Sequence, residues 1–217
     1  MRTAYVEELE SITDSLVQMT NLVGSAMNRA TTALLDADLA VAESVISADE
    51  TVDLVYRDVE ERAFDFLVRQ APVAGDLRVI VTSLRIVADL ERMGDLALHV
   101  AEVARRRYPA SAVPAEVRDT MLEMGQAAQR IVTKAGSVIA SRDLVKAVEL
   151  ERDDDVMDAL HRTLFVTLLE REWRHGLEAA IDITLCGRYY ERFADHAVSV
   201  ARRVAYLVTG DRGSLTG

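Results

Sequence analysis

Two stretches of the sequence place acidic residues four positions apart within segments that have the composition of helices. In DLERMGDLALHVA, residues 89–101, Glu91 precedes Asp95, and a hundred residues later YYERFADHAVSVA repeats this spacing with Glu191 and Asp195. Residues four apart are neighbours on a helix surface, where two like charges oppose helix formation by about 0.2–0.5 kcal/mol. The spacing therefore predicts a positive partner for each pair, either an arginine side chain or a bound cation.

The same spacing recurs in DETVD and DDVMD, the matching segments of the preceding helix in each half. Residues midway along two antiparallel helices can face one another, so each half is expected to bring two acid pairs together. Part-buried carboxylates must be protonated, pair with arginine or hold a cation. Oxygen ligands of this kind suit Mg²⁺, Ca²⁺, Mn²⁺ or carboxylate-bound iron. The predicted ligands are Asp49, Asp53, Glu91 and Asp95 in the first half, and Asp154, Asp158, Glu191 and Asp195 in the second.

Arginines offer the other explanation for the acid pairs. Arg92 and Arg192 lie three residues before Asp95 and Asp195, which predicts a salt bridge along each helix. With 36 acidic residues in the chain, several pairs at this spacing also arise by chance, and Asp119–Glu123 is interpreted as a solvated face. Spacing alone leaves the choice open between a metal site and ion-paired helices.

The histidines do not repeat with the acids. His99 has Ser199 as its counterpart and His196 has Leu96, so structural or surface roles are predicted for both. The single ExxH motif, Glu172–His175, lies at a helix end, whereas a di-iron bundle needs two such motifs facing each other. The sequence also contains no glycine-rich phosphate loop, GxSxG motif or His-Asp dipeptide, so no catalytic apparatus is predicted.

Composition favours an all-helical protein. Only 5% of the 217 residues are aromatic and three are proline, whereas half are hydrophobic. A net charge of −11 disfavours nucleic acid as a partner and a charge-driven membrane role. The single cysteine, Cys186, is interpreted as a core residue in a reducing compartment. No long apolar run or apolar leader is present, so we expect a cytoplasmic protein without membrane insertion.

Apolar residues at steps of three and four predict six long helices. The first begins near Tyr5, the next break is capped by Asp38, and the remaining boundaries are expected at Pro72, Pro109, Ser141 and Gly176, with the fifth helix reaching about His175. In the third helix the apolar seam formed by Leu77, Val81, Leu84 and Ala88 leads into the acid pair and predicts a part-buried site. The predicted fold is all-α, with two tandem three-helix bundles over 1–108 and 115–210, a linker over 109–114 and a disordered tail over 211–217.

The segment APVAGDLRVIVTSLRIVADLERMGDLALHVAEVA, with its echo RYYERFADHAVSVARRVAYLVTG, strongly resembles the PhoU family of bacterial phosphate-signalling regulators. The resemblance implies metal clusters of divalent or ferric ions, with Mg, Mn, Fe and Ca as candidates, held by the eight acids named above. Asp89 is a weaker addition, because its counterpart is Tyr189. Arg188, where the first repeat has Ala88, is the second departure.

The resemblance also implies a role and partners. PhoU proteins are expected to be non-catalytic homodimers that restrain the phosphate-starvation response and phosphate uptake. The implied partners are the ATPase subunit of a phosphate ABC transporter and a sensor histidine kinase. Two alternatives remain open from the residues: a metal-dependent oxidase or phosphohydrolase that uses the same carboxylates, and a metal-free helical interaction module.

Overall fold

The structure of the chain, a computed structural model, describes residues 2–169 and 173–211, with side chains from residue 6 onward. Every regular element in these ranges is a helix, which confirms the predicted all-α class. The six helices are α1 (Arg2–Asp36), α2 (Leu39–Gln70), α3 (Gly75–Arg107), α4 (Ala115–Ser141), α5 (Leu144–Leu169) and α6 (Gly176–Thr209). Tyr5, predicted to start the first apolar stripe, and the predicted tail beyond Asp211 lie outside the described side chains.

Local sequence signals set most helix boundaries. The backbone N–H of Val41 donates to the carboxylate of Asp38 across 3.0 Å, so Asp38 caps α2 as predicted. The break after α4 falls at Ser141, but the cap of the next helix is Asp143, whose carboxylate accepts from the N–H of Val145 across 2.8 Å. The boundary predicted at Ser141 is confirmed.

The fifth helix is shorter than the sequence pattern indicated. The described part of α5 ends at Leu169, whereas the periodicity predicted a helix to about His175; residues 170–172 lie outside the described chain. Trp173 lies outside the helix, and its indole N–H donates to the carbonyl of Gly176 at the start of α6, across 3.0 Å. This contact anchors the connection to the following helix instead.

The helices pack as two groups of three around one buried core. α1, α2 and α3 contact one another in the first half, α4 contacts α5 and α6 in the second, and α1–α4 and α3–α6 contacts join the halves. The core cluster runs through all six helices. Across the halves, the hydroxyls of Thr31 and the buried Tyr190 lie 2.6 Å apart. A Cβ atom on Gly125 would lie 2.5 Å from Thr31, so this position needs glycine.

The bundle boundaries predicted at 108 and 115 stay a prediction. Within the intervening segment Ala112 and Val113 are buried, so its backbone is held against the core. Cys186 is also buried, and burial raises the pKa of its thiol well above the usual range. A buried, protonated thiol agrees with the predicted core role.

The contact between α3 and α6 is called the α3–α6 seam below. Near one end of it Arg203 donates to Asp89 across 2.5 Å, and near the other Arg106 donates to Asp182 across 3.1 Å. The two helices are therefore antiparallel. The carboxylate of Asp182 is almost fully buried and also accepts from Arg107, which makes this end a charge-compensated contact inside the protein.

One predicted apolar stripe does not face the core. Leu77 and Val81, expected to form a buried seam with Leu84 and Ala88, are 41% and 37% exposed, whereas the other two are half-buried. The core side of α3 is instead formed by residues such as Ile80 and Val87. None of the helices in the described ranges combines the length and the hydropathy that crossing a membrane requires.

Candidate metal centre

α2 and α3 are in close contact beside the predicted ligands of the first half. A Cβ atom on Gly94 would lie 3.0 Å from Cγ1 of Val52 and 3.4 Å from Oδ1 of Asp49. Gly94 is thus the position at which α3 gives room to α2, and it lies between Glu91 and Asp95 in the sequence. This contact brings the α2 acid against the acid pair of α3.

The four carboxylates of the first half are close enough for their charges to affect one another's pKa values. Burial raises the pKa of Asp49 first, and the charges of Asp53 and Asp95 raise it further. Burial likewise raises the pKa of Glu91, followed by the charge of Asp95, while Arg92 opposes the rise. A cation binds most favourably where half-buried carboxylates repel one another, because its charge removes that repulsion.

Arginine compensates part of this charge. Nη1 of Arg92 lies 2.7 Å from Oδ2 of Asp95, which confirms the predicted salt bridge, and Nε of Arg92 lies 3.6 Å from Oε2 of Glu91. On α2, Arg57 reaches Asp53 at 3.6 Å. Among the described residues only Asp49 of this set has no ion pair.

The second half shows less compensation. Burial raises the pKa of Asp154 to about 6, with further contributions from the charges of Asp158 and Asp195. Glu191 is paired with Arg188, one helical turn before it. Asp154, Asp158 and Asp195 have no ion pair with any described residue.

The salt bridge predicted between Arg192 and Asp195 was wrong: within the described residues Arg192 makes no ion pair. In α6 the arginine that forms an ion pair is Arg188, which lies three residues before Glu191 and contacts that acid. The first half has Ala88 at the matching place, so this pairing is specific to the second half. The sequence signal was the i,i+3 spacing of Arg188 and Glu191.

Asp89 is directed away from the first cluster, into the α3–α6 seam. Its Oδ1 lies 3.1 Å from Nδ1 of His196, and its Oδ2 accepts from Arg203. Burial opposes ionisation of this carboxyl, but the hydrogen bonds with His196 and Arg203 outweigh burial and lower its pKa. At the matching place Tyr189 stacks against His99, with ring centroids 5.3 Å apart. The predicted structural roles of both histidines agree with these contacts.

The described carboxylates are near one another without forming a ready set of ligands. No three Asp, Glu, His or Cys side chains in residues 2–169 and 173–211 are placed together in a way that would hold a metal ion as they stand. The donors around each cluster are carboxylate oxygens, which hard cations prefer. The chemistry of the site thus fits such a cation, and the side-chain arrangement requires a change of rotamers first.

Six long helices in two similar halves, each with a half-buried acid cluster, define a duplicated all-α protein without a recognisable catalytic constellation in the described chain. The sequence model of one family, described as the PhoU domain, matches residues 16–104 and again residues 121–204. The two matches correspond to the two halves of the structure. The chain belongs to the PhoU family.

Relatives agree with this assignment. The phosphate-specific transport system accessory protein PhoU homolog 2 of Mycobacterium tuberculosis is 53% identical, over 97% of this chain and 99% of the relative. Homolog 1 of Mycobacterium leprae is 52% identical, over 97% and 95%. The crystal structure of PhoU from Pseudomonas aeruginosa superposes with a TM-score of 0.84 at 30% identity, covering 95% of this chain and 100% of that one.

Proposed function

We propose that this chain is a regulatory accessory protein of a phosphate transport system, and that its two acid clusters bind divalent or ferric cations. The names of its relatives support the transport role. The raised carboxyl pKa values of Asp49, Glu91 and Asp154, caused first by burial and then by neighbouring carboxylates, support the cation sites and are the observation that carries them. When bound, a cation supplies positive charge to carboxylates that otherwise repel one another.

In each cluster, arginine contacts would have to break before the carboxylates could bind a cation. In the first half Arg92 must release Glu91 and Asp95 before both can turn toward Asp49. The Arg92 contacts are solvent-exposed on the arginine side, and such pairs contribute about 0–1 kcal/mol, so their release costs little. In the second half only Arg188 has to leave Glu191. Cation binding is thus an exchange of arginine for metal.

Beyond the sites, the proposed role is restraint of the phosphate-starvation response and of phosphate uptake. The chain would act in the cytoplasm as a homodimer, in contact with the ATPase subunit of the transporter and with a sensor histidine kinase. Exposed apolar side chains near the α2–α3 and α5–α6 connections, such as Val68 and Leu177, offer contact area for partners of this kind.

A metal-free interaction module is the second candidate, and one observation favours it. Arg92 alone already lies within salt-bridge distance of both acids on α3. If arginines provide all the compensation, the acids fix helix packing and partner contacts without any cation. The two candidates differ in whether purified protein binds metal at the clusters.

Elemental analysis and calorimetric titration with Mn²⁺ test the cation sites. Wild type is compared with Asp49→Ala, Asp154→Ala and the double variant, after chelation and reloading. The expected result is loss of one cation-binding class in each single variant and of both in the double variant. A matched control is Asp119→Ala with Glu123→Ala, an exposed pair on α4 with the same spacing and a comparable loss of charge.

If the control pair lowers Mn²⁺ binding as much as the cluster variants do, the effect is general electrostatics and the cluster assignment fails. Absence of any metal under several loading conditions supports the metal-free candidate instead. The regulatory role is tested separately, by capture of the transporter ATPase and the kinase with wild type and the same variants. Loss of capture in cluster variants alone would connect the cations to partner binding.

A further inference from the structure

A groove of about 290 Å³ lies on the α3–α6 seam. It is lined by Arg85 of α3 and by four residues of α6: Ser199, Arg202, Arg203 and Tyr206. Three guanidinium groups, an aliphatic hydroxyl and a phenol face the same space, and none of the lining residues is acidic. In a chain with a net charge of −11, such a concentration of donors identifies this groove as a distinct electrostatic feature.

Most of the guanidinium donors in this groove are not used by contacts with the described residues. Arg203 bonds Asp89 through Nε across 2.5 Å, and Arg202 bonds Glu151 through Nε across 2.7 Å. A guanidinium carries five N–H donors, so the four on the terminal nitrogens of each arginine remain available. Arg85 is exposed and makes no hydrogen bond or ion pair with any described residue. In this groove Arg202 and Arg203 are thus each fixed by one acid through Nε, while their terminal nitrogens can still donate to a ligand.

The duplication does not reproduce this groove at the other end of the seam. The matching positions, taken in the same order, are Leu185, His99, Glu102, Val103 and Arg106. One arginine and one glutamate there give no net positive charge. The arginine groove is therefore a property of one end alone, and any ligand that it takes binds once per chain.

We propose that this groove binds one small tetrahedral oxyanion, and that inorganic phosphate is the anion it takes. Arginine presents N–H groups in a planar fork that matches the oxygens of a phosphate, and paired forks favour such an anion over a single carboxylate. A fourth guanidinium, that of Arg78, lies 5.6 Å from the centroid of the Tyr206 ring and adds to the positive potential. The choice of phosphate rests on the proposed transport role.

The groove also continues toward the first acid cluster. A second cavity, of about 590 Å³, shares Arg85 and Arg203 with it and extends to Arg92 and Glu91. Arg203 holds Asp89 across the seam between the two halves. An anion held by Arg203 therefore contacts a residue that joins the halves, and Arg85 connects the groove to the cavity that Arg92 lines.

Calorimetric titration of phosphate into chelator-treated protein tests this proposal without any contribution from metal. The expected result is saturable binding of one phosphate per chain, in competition with sulfate. Arg85→Gln is expected to raise the Kd about tenfold, because a charge-assisted hydrogen bond is lost. Arg162→Gln, an exposed arginine on α5 that makes no ion pair with described residues, is the matched control and leaves the Kd unchanged.

Three results would overturn the proposal. The first is no saturable binding at phosphate concentrations up to about 10 mM. The second is an equal rise in Kd for Arg85→Gln and Arg162→Gln, which would assign the effect to overall charge. The third is binding to phosphatidylglycerol vesicles that Arg85→Gln abolishes while free phosphate does not bind. Because the protein is metal-free throughout, failure of the cation sites leaves these results unaffected.

Discussion

The two acid clusters repeat the same four carboxylates but balance their charge differently. In the first half Arg92 lies between Glu91 and Asp95, whereas in the second Arg188 compensates Glu191 alone. Burial, together with the charges of Asp158 and Asp195, raises the pKa of Asp154 to about 6. Duplication has kept the spacing of these carboxylates in this chain and has not kept the charge balance.

The comparison also bears on the one acid that the second repeat lacks, at Tyr189. The loss of an acid at Tyr189 could have weakened the second site, but Tyr189 lies against His99, and its counterpart Asp89 lies on the seam. Neither position subtracts a carboxylate from its cluster. With fewer arginines to displace, the second cluster is expected to bind a cation more tightly than the first.

The largest predicted effect is on cation affinity. Asp154→Ala removes the carboxylate of the second cluster whose pKa is raised by burial and by neighbouring charges, and we expect about a hundredfold weaker Mn²⁺ binding in the tighter class of sites. Asp49→Ala should affect the weaker class by a similar factor and leave the tighter class intact. Isothermal titration of both variants measures the two classes. If Asp49→Ala instead removes the tighter class, the order of the two halves is reversed.

The second prediction concerns pH and the stability of metal-free protein. The pKa of Asp154 is about 6 in the folded protein against an ordinary 3.8, so the folded state binds this proton more tightly than the unfolded state. The penalty for the charged form is therefore absent below about pH 4, grows through the range between the two values, and is complete above about pH 6.

In full, such a shift corresponds to about 3 kcal/mol, and solvent screening of this half-buried side chain reduces it to about 1–2 kcal/mol. Asp154→Asn should thus stabilise chelated protein by about 1–2 kcal/mol at pH 7.5 and by much less at pH 4. Urea denaturation at both pH values measures the difference. Asp119→Asn, on an exposed face of α4, is the control; an equal gain there would show that net charge alone is responsible.

Much of the fold follows from the sequence because helix periodicity and capping are local. The stripe along α1, the Asp38 cap and the stops before Pro72 and Pro109 depend on residues within a few positions of one another. The exposed face of α3 could not be predicted in this way. Leu77 and Val81 continue the periodicity of core residues, and only the positions of α1, α2 and α6 decide which stripe is buried.

In the candidate site, too, features set by local sequence could be predicted, and features set by tertiary contacts could not. Internal repetition identified the four acid pairs, because spacing is written in the sequence. Of the two predicted salt bridges, the one between Arg92 and Asp95 is confirmed and the one between Arg192 and Asp195 was wrong. Arg188 and Arg192 each lie three residues before an acid, so their spacing is the same, and only the side-chain rotamers decide which of them forms an ion pair. The groove around Arg85 and Arg203 was missed altogether, because Arg85 is more than a hundred positions from the α6 residues and meets them only across the antiparallel seam.

A third prediction tests arginine as the competitor of metal in the first half. Arg92→Gln removes the positive charge that faces Glu91 and Asp95, so first-half cation affinity should rise about three- to tenfold. Metal-free protein should lose no more than about 1 kcal/mol, because the pair is largely exposed on the arginine side. Arg69→Gln, which breaks a similar exposed pair with Asp65, should leave Mn²⁺ binding unchanged. A fall in affinity in Arg92→Gln would mean that Arg92 orients the ligands.

The smallest predicted effect distinguishes the two halves most directly. Arg192 occupies the position of Arg92, yet it makes no ion pair with the described residues, so Arg192→Gln should change stability by less than about 0.5 kcal/mol. Second-half cation affinity should also stay unchanged, whereas Arg188→Gln should raise it. Parallel titrations of the two variants make the measurement. A rise in affinity with Arg192→Gln equal to that with Arg92→Gln would show that both halves use the same arginine, and that the difference in compensation is confined to rotamers.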